Sequence, residues 1–296
     1  DYKKTIRKKY LNKKYENENS FGSTYGEHKR FLEFSNEQLK ELYEYTKQKH
    51  IDFCCSGFDI RTYDYIEKEF NPLFHKIPSP LVVNLELLEH VAEYKKPIFM
   101  ATGMVNLDEI INAVKVIQKV NKKLVLMQCT SLYPTEDNEV NLMILKEFQN
   151  KLKTLVGFSS HDKSVVFPAV AHALGACVIE KHITLDRTMK GPDHSSSFEK
   201  RGLELSYNYL ISTYYALGKS EKYVLEREVI SRQKHLQSIV AARRIKKGTI
   251  IKREDLTFMS PGDGLLPYEI DKIIGKILNK DKKEQELILL EDIYDK

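Results

Sequence analysis

An α/β fold built from repeated strand–helix units, followed by a small separate domain, is the architecture this sequence predicts, on three observations. Short apolar, β-branched runs recur at roughly 20–30-residue intervals, the period of strand-plus-helix units in a parallel sheet. Helical patterns fill the gaps between them. After about residue 219 the texture changes, first to a charged stretch and then to short strands and turns.

The predicted strands are residues 52–56, 73–79, 97–102, 124–130, 155–160 and 177–184. Between them, residues 36–50 place Leu39, Leu42, Tyr43 and Thr46 on one helical face, with Ser35 as N-cap. Residues 107–120 repeat the pattern with Ile110, Ile111, Val114 and Ile117. Six such units fit either an open doubly wound sheet or a (β/α)8 TIM barrel short of two units. A doubly wound nucleotide binder usually carries a glycine-rich first turn, which is missing here, so the pattern leans towards the barrel. The predicted division is 1–219 for the sheet-based domain, 220–237 for a linker and 238–296 for the small domain, with strands at 238–243 and turns at 247–249 and 261–264. About 60 residues is near the lower limit for an independent core, so this domain is expected to dock on something larger. Residues 1–20 are rich in Lys, Asn and Tyr without periodicity and are expected to be poorly ordered. The chain starts with Asp and is expected to begin inside a longer protein.

Composition narrows the function. Hydrophobic residues make up 42%, enough for a sizeable core, and the net charge of +5 is dispersed along the chain. That argues against a nucleic-acid partner and suits a cytoplasmic protein that attracts small anions. No apolar run approaches the ~18 residues of a membrane span, and no signal peptide is read. Cys54, Cys55, Cys129 and Cys177 lie in apolar runs without metal-ligand spacing and are expected to be buried, reduced thiols.

In a barrel, chemistry sits at the C-terminal ends of strands. Lys76 and Ser79 close one run, Thr102 and Gly103 the next, then Cys129, Thr130, Ser131 and Tyr133; Ser159 and His161 follow, and Glu180 and His182 lie in the last. Strand alternation puts Ser159 with His161 on one face, and Glu180 with His182 and Thr184 on another. Two neutral imidazoles beside a carboxylate suit a catalytic divalent metal; singly, each His equally suits a hydrogen-bonded core position. His172, inside an apolar helix, reads as structural. Lys76 is open to three roles: pairing with an anionic substrate, Schiff-base chemistry, or snorkelling to solvent. Ser56, Ser131 and Ser159 could hold phosphate or merely cap turns.

Taken together, these motifs resemble the sialic acid synthase family. The resemblance is carried by Val156-Gly157-Phe158-Ser159-Ser160-His161, by Leu174–Asp186 with its Glu180-Lys181-His182 core, and by Gly191-Pro192-Asp193-His194. It extends to Ala101-Thr102-Gly103-Met104 and Cys129-Thr130-Ser131-Leu132-Tyr133-Pro134, and residues 24–35 are most similar to the animal enzymes. The last 60 residues resemble the antifreeze-like SAF domain, through Ile245-Lys246-Lys247-Gly248, Pro261-Gly262-Asp263-Gly264 and Ile274-Gly275-Lys276. The resemblance implies a TIM barrel lacking its first two strands, and condensation of phosphoenolpyruvate with N-acetylmannosamine 6-phosphate, or N-acetylmannosamine, to sialic acid 9-phosphate or sialic acid. It implies Mn2+ or Mg2+ on His161 and His182, with their side chains roughly 4–5 Å apart. It places Lys76, Ser79, Ser56, Ser131, Tyr133 and Ser159 around phosphoenolpyruvate, and Glu180 and Asp193 as catalytic carboxylates near the sugar and metal. It also implies a homodimer, each SAF domain over the partner's barrel. Here Pro78-Ser79-Pro80 replaces the usual Gly-Ser-Gly, Ala101 replaces a serine, and Ser260 stands where many bacterial members have arginine. A glutamate and a Lys-Phe-Gln motif of the missing strands have no counterpart, so weak or absent turnover is expected of the chain as given. A Schiff-base aldolase on Lys76, and a non-catalytic barrel remnant, are the alternatives.

Overall fold

The computed structural model describes residues 2–295. Its first elements are two short basic helices, α1 (Tyr2–Thr5) and α2 (Lys8–Leu11). Residues 2–20, expected to be poorly ordered, are held by aromatic contacts. Tyr10 and Tyr15 meet the Tyr25 ring edge-on at 5.0 and 5.3 Å, Phe21 stacks on Phe31 at 4.1 Å, and Lys14 bridges to Thr24. The tyrosines that made the segment look featureless anchor it. Helix α3 (Tyr25–Leu32) starts on a capping box between Thr24 and Glu27, and α4 (Asn36–Gln48) on one between Ser35 and Gln38.

The predicted strand at 52–56 is not a strand. This run joins no ladder; its apolar side chains are satisfied instead by packing, Phe53 against Tyr43 (5.7 Å) and Phe70 (5.2 Å). Helix α5 (Ile60–Phe70), capped by Asp59, leads into β1 (His75–Ile77). Then α6 (Leu85–Glu93), β2 (Ile98–Ala101), α7 (Leu107–Val120), β3 (Leu124–Cys129), the short α8 (Ile144–Glu147), β4 (Leu155–Ser160), α9 (Phe167–Ala173) and β5 (Ala176–Lys181) alternate as the sequence predicts, and α10 (Lys200–Leu217) follows.

The five strands form one parallel sheet in the order β1-β2-β3-β4-β5. A doubly wound sheet reverses direction at a switch point, whereas a strictly sequential order with right-handed crossovers keeps the helices on one face, as in a barrel. Ile110, Val114 and Ile117 of α7, Leu88 and Val91 of α6, and Leu126 and Phe158 of the sheet are buried in a single cluster on that face. Among the described residues no helix is long and apolar enough to cross a membrane.

One irregularity controls the β4–β5 pair. Val156 faces Ala176, but Gly157 faces Val178, so Cys177 is an extra residue in the ladder. Cys177 is exposed rather than buried as expected, because a bulged residue has no partner to cover it; Cys54 and Cys55 are half-buried and Cys129 is buried. A Cβ on Gly157 would lie 2.9 Å from the Val178 carbonyl oxygen and 3.1 Å from Met127 Cγ, so the bulge and the glycine are mutually required.

The chain divides between Gly218 and Lys219. The second unit holds α11 (Val229–His235) and two antiparallel ladders, β6 (Ser238–Ala241) with β7 (Leu256–Met259), and β8 (Ile277–Leu278) with β9 (Ile293–Tyr294). The stretch 220–237 carries α11, and Gly262 N–H donates to the Gln233 carbonyl at 2.8 Å. Ile239, Ile251, Leu256, Ile273, Leu278 and Ile288 form the core. Beside it the almost fully buried Lys282 ammonium lies 2.5 Å from the buried Asp292 carboxylate, which Lys280 also contacts at 2.5 Å.

Two outcomes follow from these contacts. Gly157→Ala should destabilise the first unit by about 1–3 kcal/mol, read as a lowered thermal midpoint; an unchanged midpoint would show that the bulge tolerates a side chain. Burial pushes the Asp292 carboxyl up, but Lys280, Lys282 and the Leu289 N–H outweigh it and hold it below the usual aspartate range. A depressed carboxylate stabilises the fold above its unfolded value, so the second unit should lose stability as the pH falls below about 4. Asp292→Asn should flatten that dependence in acid titrations followed by circular dichroism; an equally steep acid limb in the variant would assign the loss elsewhere.

Candidate active site

The polar side chains gather where the strands end. On the face of β4 and β5 turned towards Lys76, Ser159 Oγ donates to Glu180 Oε1 at 2.8 Å, and Lys76 Nζ lies 3.4 Å from Glu180 Oε2. Lys76 is not a snorkelling lysine: its side chain is 14% exposed and its ammonium also reaches the Ile77 carbonyl at 3.4 Å. One step further along the same two strands, the His161 and His182 rings lie 5.2 Å apart, centroid to centroid, at 71°. Tyr133 closes over them, 4.2 Å from the His161 ring and 5.7 Å from that of His182.

Hydrogen bonds fix the imidazoles. His161 Nδ1 donates to the Thr130 carbonyl at 2.9 Å, which leaves Nε2 as an acceptor facing the Tyr133 hydroxyl at 3.1 Å. His182 Nδ1 lies 3.4 Å from Asp193 Oδ2. Burial lowers the His182 imidazole, the nearby Asp193 notwithstanding, and so favours its neutral, ligating form. Burial also pushes His161 down, but the Cys129 sulfur and the Thr130 carbonyl outweigh it and raise the imidazole above its ordinary value.

Cys129 is the centre that the sequence reading missed. Its Sγ lies 3.6 Å from Ser79 Oγ, 3.7 Å from Ser131 Oγ and 3.8 Å from His161 Nδ1. Burial raises this thiol, yet the contacts with His161, Ser79 and Ser131 outweigh it and hold it below the usual thiol range. The signal was present: Cys129, Ser131 and Tyr133 alternate at the end of one strand, whereas cysteine in an apolar run reads as inert. Gly103 N–H donates to Ser79 Oγ at 2.9 Å, and a Cβ on Gly103 would fall on Ser131 Oγ and against Cys129, so glycine is needed for the hydroxyls to converge. These side chains form two groups at adjacent strand ends: Lys76, Glu180 and Ser159 in one, and Ser79, Ser131, Tyr133, His161, His182 and Asp193, gathered around Cys129 and the imidazoles, in the other. Ser56 stands apart, exposed in the irregular run before α5, with no hydrogen bond to the others among the described residues. His172 accepts its structural role, with Nδ1 3.1 Å from the Ala176 carbonyl.

The donor set fits a divalent metal only in part. Two imidazoles share one space, but no group of three or more His, Cys, Asp or Glu among the described residues has metal-holding geometry. A metal there would take two nitrogens from the protein and its remaining ligands from water and substrate oxygens.

Comparison with known proteins gives the ancestry. Residues 1–222 match the NeuB family and residues 237–293 the SAF domain. The chain is 34% identical to human N-acetylneuraminate-9-phosphate synthase over 96% of its own length and 79% of that protein's. It is 36% identical to the N,N'-diacetyllegionaminic acid synthase of Campylobacter jejuni, over 87% of this chain and 78% of the relative. Among solved structures it is similar to the N-acetylneuraminic acid synthetase of Leptospira borgpetersenii, with 29% identity and a TM-score of 0.63 over 67% of this chain and 70% of that one. It is likewise similar to the spore coat polysaccharide biosynthesis protein spsE of Bacillus subtilis, with 25% identity and a TM-score of 0.60 over 89% and 79%. A sequential parallel sheet, its polar strand ends and a C-terminal SAF unit therefore meet in one assignment: this chain is a synthase of the NeuB family, with a barrel-type catalytic domain followed by a SAF domain.

Proposed function

We propose that this protein condenses phosphoenolpyruvate with an N-acetylmannosamine-type aminosugar, preferring the 6-phosphate, and releases inorganic phosphate. The observation that carries the reading is that Cys129 Sγ meets the hydroxyls of Ser79 and Ser131 and His161 Nδ1, beside the His182 ring, while the neighbouring strand register, Cys129 opposite Ser159 and Ser159 opposite Glu180, brings up the Lys76–Glu180 pair. The names of the human and Campylobacter relatives, both synthases of nine-carbon keto acids, support the same chemistry.

The reaction needs two anionic groups of phosphoenolpyruvate held beside an aldehyde. Lys76 and the Ser79 and Ser131 hydroxyls are placed to bind the phosphate and carboxylate. A divalent ion, Mn2+ or Mg2+, held by His161 and His182 supplies Lewis-acid polarisation of the sugar aldehyde when bound. Carbon 3 of phosphoenolpyruvate then forms the new bond to the aldehyde carbon, whose oxygen gains a proton. Water adds to the cationic carbon 2, and the C–O bond to phosphate breaks. Glu180, oriented by the Ser159 hydroxyl, is positioned to take the water's proton, and Asp193 to hold sugar hydroxyls. The preference for the 6-phosphate rests on Lys29 and Arg30 of α3; the segment preceding that helix meets the loop that leads to Asp193, where Asn19 Oδ1 accepts from Gly191 N at 3.3 Å. Homodimerisation and a cytoplasmic setting complete the reading. Tyr207, Tyr214 and Tyr215 of α10 are exposed at 61%, 63% and 75%, a surface suited to a second copy.

The test is phosphate release that requires both substrates, however slow. In 18O-labelled water the released phosphate should stay unlabelled; label in the phosphate would mean P–O cleavage and sink the mechanism. Lys76→Ala should weaken phosphoenolpyruvate binding by about tenfold or more, whereas covalent trapping of sugar or pyruvate on Lys76 by borohydride would favour the Schiff-base aldolase instead. In direct competition the 6-phosphate should win, and Arg30→Ala should raise its KM severalfold while sparing the unphosphorylated sugar. Better use of the free sugar, or of a diacetamido sugar, would overturn the substrate assignment.

A further inference from the structure

The two strands that carry the imidazoles are locked together twice, once on each face. Ser159 lies opposite Glu180 and Ser160 opposite Lys181. The first pair faces the site. The second faces away, and nothing in the proposed chemistry uses it, although it sets a half-buried lysine against the buried Ser160 and Asp162.

The geometry of that second lock is complete. Lys181 Nζ donates to Ser160 Oγ at 2.9 Å and also to the Asp162 carbonyl, and its third direction meets the Phe198 ring, 4.5 Å from the centroid. Ser160 Oγ in turn donates to Asp162 Oδ2 at 2.7 Å, and Asp162 Oδ1 accepts from Ser164 N at 2.8 Å. Ser160 and Asp162 are 1% and 0% exposed. These residues flank His161 on either side, and Lys181 directly precedes His182. The His182 carbonyl is fixed as well, accepting from Phe198 N at 2.8 Å, and the His161 carbonyl accepts from Thr135 N at 3.1 Å.

We propose that Lys181 is a positioning residue for the two-imidazole site: by tying Ser160 and Asp162 to the strand that bears His182, its ammonium sets the separation and mutual angle of His161 and His182. Two hydrogen bonds and a cation–π contact hold the ammonium in place. Of its partners, Ser160 and Asp162 flank His161, and Phe198 holds the His182 carbonyl through its own N–H. Outer partners of this kind typically govern metal affinity by 10–100-fold. The inference rests on the reading of His161 and His182 as a metal pair, and the experiment separates the two.

Mn2+ binding to the full chain, followed by electron paramagnetic resonance, is compared among the wild type, the His161→Ala/His182→Ala double variant, Lys181→Met, Lys181→Arg and Ser160→Ala. Lys181→Met should bind Mn2+ about 10–100-fold more weakly while keeping the wild-type circular dichroism spectrum, and Lys181→Arg, which keeps the charge and the donors, should lose less. Ser160→Ala, which removes one hydroxyl and little volume, should lose a few-fold and keeps the test intact if the lysine variants fail to fold. Mn2+ affinity within twofold of wild type in folded Lys181→Met, or in Ser160→Ala where the lysine variants do not fold, overturns the positioning role alone. Equal binding by the wild type and the double histidine variant overturns the metal pair and the inference with it.

Discussion

The pairing register of β4 with β5 is the constraint on which the site depends. Side chains alternate along a strand, so a slip of one residue would turn Glu180 and His182 out of the site and bring Ile179 and Lys181 into it. The Cys177 bulge sets that register at the start of the strand, and Gly157 makes room for it. From there the hydrogen bonds run forward in order: Ser159 to Glu180 inward, Ser160 to Lys181 outward, then His161 opposite His182. A local backbone defect is therefore the origin of a side-chain constellation three to five residues downstream. The same arrangement explains why so many buried polar groups are tolerated at one place, since each has a partner across the ladder.

The sheet supplies rigidity and the loops supply convergence. β3 is buried along its whole length, pinned between β2 and β4, and after Cys129 the chain brings Ser131 to the Cys129 sulfur and Tyr133 over the imidazoles. Apolar packing behind the sheet, with Phe158 and Leu126 against α7 and its neighbours, keeps that platform from shifting. Cys129 ties the hydroxyls of Ser79 and Ser131 to His161 although its own contacts, at 3.6–3.8 Å, are weak. A larger residue would displace the two hydroxyls and a smaller one would leave a gap among three polar groups; a thiol fits because it is compact, polarisable and undemanding in geometry.

Legibility in the sequence divided along physical lines. Period-2 and period-3.6 patterns marked five of the six predicted strands and the main helices, because β-branched runs and capped amphipathic helices are encoded locally. Residues 52–56 carried the same local signal yet pack through Phe53 without joining a ladder, and no local pattern distinguishes a strand that finds a neighbour from one that does not. Parity paired Ser159 with His161 and Glu180 with His182, and the structure brings these four together at the strand ends, whereas Ser56 stands apart because its strand does not form. The role of Lys181 was hidden for the opposite reason. Parity placed it on the outer face, where a lysine ordinarily reaches solvent, and only the three-dimensional position of Ser160, Asp162 and Phe198 shows it enclosed. Cys177 was misread because a bulge is a property of two strands together, and composition sees one.

Charge within the site suggests how, on the proposed reading, binding and chemistry are coupled. Before substrate enters, Lys76 and Glu180 satisfy each other at 3.4 Å, with side chains 14% and 34% exposed, so neither charge is left uncompensated in a partly buried space. Phosphoenolpyruvate brings several negative charges, and Lys76 is the one ammonium that reaches this face of the sheet from β1. Drawing Lys76 towards the ligand weakens its contact with Glu180, whose other oxygen remains held by the Ser159 hydroxyl. The carboxylate keeps its orientation and loses its counter-charge at the moment water must be deprotonated. A general base that is neutralised in the empty site and released by the anionic substrate avoids the cost of an unpaired buried charge at every other time. This also accounts for the placement of Lys181 on the opposite face. Directed inward, a second ammonium would compete with Lys76 for Glu180 and hold the base permanently paired; directed outward, it fixes the two strands and leaves Glu180 to Lys76.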